Sequence, residues 1–207
     1  MPEFHQLIDG YQRFRAGAWM AQRRRWQALA DRQAPPVMVI SCCDSRVDPA
    51  TIFDTVPGQM FALRNVANLV PPFETGGGLH GASAAIEFAV VHLKVRHIVV
   101  LGHGACGGIS AALKGGNLGV EGPSFIDHWV GIIGEARDRV LAEAHEDPQR
   151  ALELESIRVS LCNLRSFPFV REREERGELK LHGAFFAISD GELHVLDEAT
   201  GRFDPAS

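Results

Sequence analysis

Apolar and polar positions divide this chain near residue 34. Before that point Phe4, Leu7, Ile8, Tyr11, Phe14 and Ala18 recur at spacings of three and four, the period of an amphipathic helix. Trp19, Trp26 and Leu29 continue the apolar character on a shifted face, so residues 4–31 are expected to be helical. A face this aromatic needs cover, either from a partner subunit or from the body of its own. After residue 34 the pattern changes. Residues 36–41 form a continuous apolar run, as in a strand covered on both sides. Residues 60–64, introduced by the Pro57-Gly58 turn, predict a second short strand. Gly76-Gly77-Gly78 breaks the chain before a long helix at about His80–Val95, and residues 97–102 are strand again.

Gly107-Gly108 opens a further helix, Ile109–Lys114, which Gly115-Gly116-Asn117 ends. Two more helices are expected over 124–147 and 149–166. The late segments 179–186 and 193–196 are strands, joined by Asp190-Gly191 as a hairpin turn. Helices alternating with strands indicate an α/β fold with a mainly parallel β-sheet flanked by helices. The division expected is an N-terminal helical arm, 1–34, followed by one α/β domain, 35–207.

Composition narrows the partners. The chain has 207 residues, 45% of them hydrophobic, and a net charge of −5, which gives no footing for nucleic acid or an acidic membrane surface. No apolar run reaches the roughly 18 residues of a membrane span, and the start of the chain lacks the pattern of a secretory signal. Four cysteines are too few for a disulfide scaffold. A cytoplasmic protein is therefore expected.

Three of those cysteines stand where predicted strands end. Strand 36–41 runs into Cys42-Cys43-Asp44-Ser45-Arg46, and strand 97–102 into His103-Gly104-Ala105-Cys106-Gly107-Gly108. In parallel sheets, sites form outside the carboxyl ends of strands. Two thiolates, an imidazole and a carboxylate form a zinc-type ligand set with one displaceable member. Cobalt or ferrous iron would also be accepted chemically. Cys43, next to Cys42, should point to the opposite face and be a small buried residue. Cys162, within a helical stretch, is expected in the core. Asp44 and Arg46 are close enough to pair. The pair is either a loop salt bridge or a gate, in which Arg46 holds the carboxylate off the metal so that water can take the fourth position.

These residues resemble the β-class carbonic anhydrases, in their plant-like branch. The resemblance runs from about Gln33 to Gly191. It rests on Cys42-x-Asp44-Ser45-Arg46 with His103-x-x-Cys106-Gly107-Gly108, and on Arg64-Asn65-Val66-Ala67-Asn68, residues 84–90 and residues 159–170. It implies Zn2+ held by Cys42, His103 and Cys106, with Asp44 as fourth ligand in a closed state and Asp44–Arg46 as the catalytic pair. It also implies a dimer or higher oligomer, with the N-terminal arm packing on a partner subunit. Gln33, Phe61, Val66, Phe88 and Gly107 would meet the substrate. The chain departs from the family pattern at Cys43, where serine is usual, and at Phe88 and Phe185, where tyrosine is frequent. Phe88 makes the cleft drier. Val39 stands where the bicarbonate-inhibited branch tends to carry tryptophan.

The function implied is reversible hydration of carbon dioxide to bicarbonate. One alternative is hydrolysis of carbonyl sulfide or carbon disulfide on the same scaffold. The other is a non-catalytic zinc protein. Nine histidines offer proton carriers, and no spacing singles one out.

Overall fold

A computed structural model describes residues 3–206 apart from 77, 79, 117–121 and 123. Gly77 and Asn117, two of the predicted breaks, therefore lie outside the described residues. The chain divides into two compact units, Met1–Ala34 and Pro35–Ser207.

In the first unit the single expected helix is two, α1 (Phe4–Phe14) and α2 (Arg23–Asp31). A π-turn over Arg15–Trp19 and a non-helical Gln22 separate them. A π-turn inserts one residue into the helical count, which is why the aromatic stripe changes face after Phe14. The Gln6 side chain accepts a hydrogen bond from the Glu3 N–H at 3.2 Å and caps α1. Phe14 and Trp26 meet edge to face, with centroids 5.8 Å apart.

The second unit is built on a six-stranded sheet. Its strands are β1 (Val37–Cys42), β2 (Met60–Asn65), β3 (His97–His103), β4 (Lys180–Ala187), β5 (Glu192–Asp197) and β6 (Arg202–Pro205). They lie in the order β2-β1-β3-β4-β5-β6. The first four are parallel, and β5 and β6 extend the sheet antiparallel. The mainly parallel α/β architecture is thus as expected. β6 adds a strand that its brevity and its proline had masked.

Between the strands lie α3 (Pro49–Ile52), α4 (Gly81–Glu87), α5 (Gly107–Leu113), α6 (Phe125–Val130), α7 (Gly134–Ala142), α8 (Pro148–Ser166) and α9 (Pro168–Glu175). Two predicted helices are shorter or broken. The helix expected over 80–95 loses its α form at Phe88, continues as a π-turn to His92 and stops at Lys94, whose φ is +56°. The helix expected over 124–147 is split by a tight turn at Gly131–Ile133 and ends at Ala142. Glycines at 131 and 134 cost helical stability at that joint.

The main core packs Met38, Ile40, Ile98, Val100 and Phe185 of the sheet against Ile86, Val90, Ile157, Leu161, Leu164 and Val170 of the helices. α8 approaches the sheet closely because Gly102 and Gly183 lack side chains. A Cβ at Gly102 would stand 2.7 Å from Ile157 Cδ1, and one at Gly183 2.9 Å from Ile157 Cγ2. A second apolar cluster lies at the carboxyl ends of the strands, where Cys42 and Cys106 pack with Ala67, Ile109, Ile133 and Leu152.

Candidate metal centre

β1 and β3 are hydrogen-bonded neighbours, Ser41 lying opposite Leu101. Their last residues, Cys42 and His103, therefore emerge side by side. The turn after β3 brings Cys106 back as the N-cap of α5. Cys42 is 5% exposed, and His103 and Cys106 are 1% exposed. One ligand atom from each lies within 4.8 Å of the others, and among the described residues this is the group that could hold a metal ion.

Hydrogen bonds fix the orientation of each ligand. His103 Nδ1 is 2.9 Å from the Gly104 carbonyl, to which it can only donate. That leaves the buried Nε2 with a free lone pair and no protein partner. The Ala67 N–H donates to Cys42 Sγ at 3.4 Å. Ala67 and Asn68 both have left-handed backbone, φ +62° and +51°, which turns that N–H inward.

The thiols of Cys42 and Cys106 are 4.0 Å apart, within sulfur hydrogen-bond reach, and either could be the donor. The hydrogen bond from Cys106, aided by His103 and by backbone N–H groups, outweighs burial and holds Cys42 well below the usual thiol range. The same bond, with burial and the Cys42 charge, pushes Cys106 up. Burial alone would lower His103, but the pull of Cys42, the Gly104 bond and the Asp44 charge raise it.

Asp44 is held to one side by Arg46. Its Oδ1 accepts from the Arg46 N–H at 3.0 Å and from Nε at 2.9 Å, and its Oδ2 accepts from Nη2 at 2.7 Å. The guanidinium hydrogen bonds outweigh burial and keep the carboxyl far below the usual range, hence ionised. Arg46 Nη2 also donates to the Ala105 carbonyl at 3.0 Å, tying the two ligand loops together.

The apolar residues expected to meet the substrate fall in two places. Val66 lines an open apolar depression of about 610 Å³ with Cys43, Asn65, Phe125, Ile126 and Trp129. Phe61 and Phe88 pack on each other with ring centroids 5.9 Å apart and do not line that depression. Gly107 is exposed at the start of α5, and Gln33 is an exposed residue of the first unit.

Two expectations about cysteines fail. Cys43 is exposed. Its N–H continues the pairing to Asn65 at 2.8 Å, so its side chain does alternate away from Cys42, but onto an uncovered face. Cys162 is also exposed. The buried face of α8 carries Leu152, Glu153, Ser156, Ile157, Ser160, Leu161 and Leu164, and position 162 falls outside it.

Three polar residues from other elements support the site. Arg64 of β2 donates to the Cys42 carbonyl at 3.0 Å, the Asp44 carbonyl at 2.7 Å and Asp48 Oδ2 at 3.1 Å. Gln149 and Glu153 of α8 reach the backbone of Cys106. Burial pushes the Glu153 carboxyl up, against the hydrogen bonds from Gln149 and Cys106. No spacing in the sequence links 64, 149 or 153 to the ligands, because the sheet order and the path of α8 make the connection.

A mainly parallel sheet with a buried thiol–imidazole–thiol cluster at two adjacent strand ends, and a carboxylate–guanidinium pair beside it, defines an α/β protein with a candidate metal centre. A family model described as carbonic anhydrase matches residues 37–193. A mitochondrial β-carbonic anhydrase of Arabidopsis thaliana is 38% identical over 91% of this chain and 66% of its own length. This chain thus spans about two thirds of that relative. The solved β-carbonic anhydrase CcaA superposes with a TM-score of 0.91 at 33% identity, over 98% of this chain and 92% of that one. A tetrameric β-carbonic anhydrase from Sordaria macrospora gives 0.79 at 31% identity, over 93% and 96%. The chain belongs to the β-class carbonic anhydrase family.

Proposed function

We propose that this protein catalyses the zinc-dependent, reversible hydration of carbon dioxide to bicarbonate and a proton. The observation that carries the reading is the convergence of Cys42, His103 and Cys106, with Asp44 held aside by Arg46. Zinc suits the donor set. Two sulfurs about 2.3 Å from a tetrahedral zinc sit about 3.8 Å apart, and those of Cys42 and Cys106 are 4.0 Å apart. The unpartnered, buried Nε2 of His103 supplies a third donor. When bound there, zinc supplies hydroxide at neutral pH by lowering the pKa of water to about 7.

The chain's own residues do the rest. Asp44, kept ionised by Arg46, offers a carboxylate lone pair that accepts a hydrogen bond from the nucleophile's O–H and orients it. Val66 and its apolar neighbours give an uncharged linear substrate a surface it can approach without losing hydrogen bonds. Phe61, Phe88, Gln33 and Gly107 are assigned to the substrate on their likeness to the family's cleft residues. Self-association, with the arm packing on a partner subunit, is supported by the exposed Phe4, Leu7, Tyr11 and Phe14 of α1. It is also supported by the tetrameric relative. Four free cysteines suit a reducing compartment, and we assign the protein to the cytoplasm. Among the described residues no helix is long and apolar enough to cross a membrane.

Stopped-flow measurement of carbon dioxide hydration on zinc-loaded protein tests the reading. The rate should rise with pH through about 7, the range in which zinc-activated water loses its proton. Cys106→Ser should lose zinc and activity together. Asp44→Asn should keep zinc and lose about 100-fold in turnover, the scale of a misplaced acid–base group. Absence of hydration at every pH with zinc bound would overturn the reading, and release of sulfide from carbonyl sulfide would then name the substrate.

A further inference from the structure

We propose that Glu153 and Gln149 of α8 are positioning residues that clamp the backbone of Cys106 and thereby set this ligand's place in the metal site. The inference rests on the zinc reading above and adds residues to which the ligand pattern does not point.

The loop from His103 to Gly107 cannot hold its shape by itself. Ala105 has φ +54°, a left-handed conformation that costs a non-glycine residue about 1–2 kcal/mol. The loop's polar backbone groups are therefore held from outside. The Gly104 N–H donates to the Phe186 carbonyl at 3.0 Å, and the Ala105 carbonyl accepts from Arg46. Cys106 receives a bond on each side of its residue. Its N–H donates to Glu153 Oε1 at 2.9 Å, and its carbonyl accepts from Gln149 Nε2 at 3.0 Å. Gln149 Nε2 also donates to Glu153 Oε1 at 2.7 Å, which closes a three-membered network.

The Cys106 thiol makes no capping bond to α5. An ordinary N-cap side chain anchors its own residue, but here the thiol is reserved for the metal and α8 supplies the anchor.

The placement of these two residues follows from helix geometry. Gln149, Glu153 and Ile157 are spaced by four and share one face of α8. Ile157 fills the space over Gly102 and Gly183 and so sets the height of the helix above the sheet. Gly102 directly precedes His103. A single helix face therefore buttresses both ends of the turn that carries His103 and Cys106. Farther along α8, Ser160 Oγ accepts from the Val70 N–H at 3.2 Å and donates to the Asn68 carbonyl at 3.3 Å, steadying the loop that serves Cys42. Glu153 is 3% exposed. Burying a carboxyl is unfavourable unless hydrogen bonds compensate, and both donors to its Oε1 come from this network.

The test is zinc affinity, measured by competition with a chromophoric chelator, together with the visible spectrum of cobalt-loaded protein. Glu153→Met removes the acceptor at similar volume. It should weaken zinc binding about 10- to 100-fold, the usual size for a partner that orients a metal ligand, and should shift the cobalt bands. Glu153→Gln keeps an oxygen acceptor and should restore both readouts to near wild type. If Glu153→Met does not fold, Gln149→Leu carries the same test, because it removes the donor to the Cys106 carbonyl. Unchanged zinc affinity in the folded Met or Leu variant overturns the clamp and leaves the zinc reading intact. A Gln variant as impaired as the Met variant also overturns it, since charge would then matter and not the acceptor. Wild-type protein that binds no zinc overturns both.

Discussion

Gly107 and Gly108 are adjacent and chemically identical, yet their surroundings differ. A Cβ at Gly107 would meet nothing within 4 Å. One at Gly108 would stand 2.6 Å from Val66 Cγ1, 3.0 Å from the Ala67 Cβ and 3.4 Å from the Ala67 nitrogen. Alanine in a helix is favoured over glycine by about 1 kcal/mol, so Gly107→Ala should be neutral or slightly stabilising. At Gly108 the clash wins, with overpacking of this kind costing about 1–3 kcal/mol. Gly108→Ala should lower stability by that amount and disturb the Ala67 N–H that faces Cys42. Urea unfolding of the two variants checks the contrast, and equal midpoints would refute it. The ligand pattern His103-x-x-Cys106 was legible in the sequence because ligand chemistry resides in side-chain identity. The difference between its two glycines was not, because it depends on a loop some forty residues earlier in the chain.

Among the elements, β3 and β4 carry a histidine pair away from the metal centre. His97 Nδ1 and His182 Nε2 are 3.1 Å apart, so one ring must donate and the other accept. Burial lowers the His182 pKa, and the neighbouring His97 and Lys180 lower it further, against a smaller pull from Glu198. The unfolded chain then binds this proton more readily than the folded one. Stability falls as pH drops through the unfolded value of about 6.5 and levels off below the folded value. His182→Gln should lose less stability than wild type between pH 8 and pH 5.5. The difference should be below about 1 kcal/mol, since half-buried groups are partly screened by solvent. Urea midpoints at the two pH values measure it, and parallel losses in both proteins would exclude the pair as a contributor. The positions of β1 to β5 were legible to within about a residue, because unbroken apolar runs have sharp ends. The breaks at Phe88 and Gly131 were not, because each is a short segment, Phe88–His92 and Gly131–Ile133, that continues directly from a helix.

For the whole molecule, the exposed apolar face of α1 bears on assembly. Phe4, Leu7, Ile8, Tyr11 and Phe14 are all exposed, and in the second unit Phe125 is 99% exposed. Surfaces of this kind mark association sites. The full chain should sediment as a dimer or larger species. Removing residues 1–34 should shift it to a smaller species while zinc is retained, since all three proposed ligands lie in the second unit. Sedimentation velocity with zinc analysis reads both outcomes. An unchanged assembly would show that the arm is not the contact.

The sequence alone determined which residues are proposed to carry the chemistry and located five of the six strands of the sheet. Cysteine, histidine and aspartate at strand ends are local facts, and so is apolar periodicity. The tertiary structure decided what holds those residues in place. Arg64 from β2, Gln149 and Glu153 from α8, and the room left by Gly102, Gly108 and Gly183 act across long separations in the chain, and only the packing of helix on sheet brings them together. It also decided that Cys43 and Cys162 face outward, because exposure depends on what covers a surface and not on the residue's own preference.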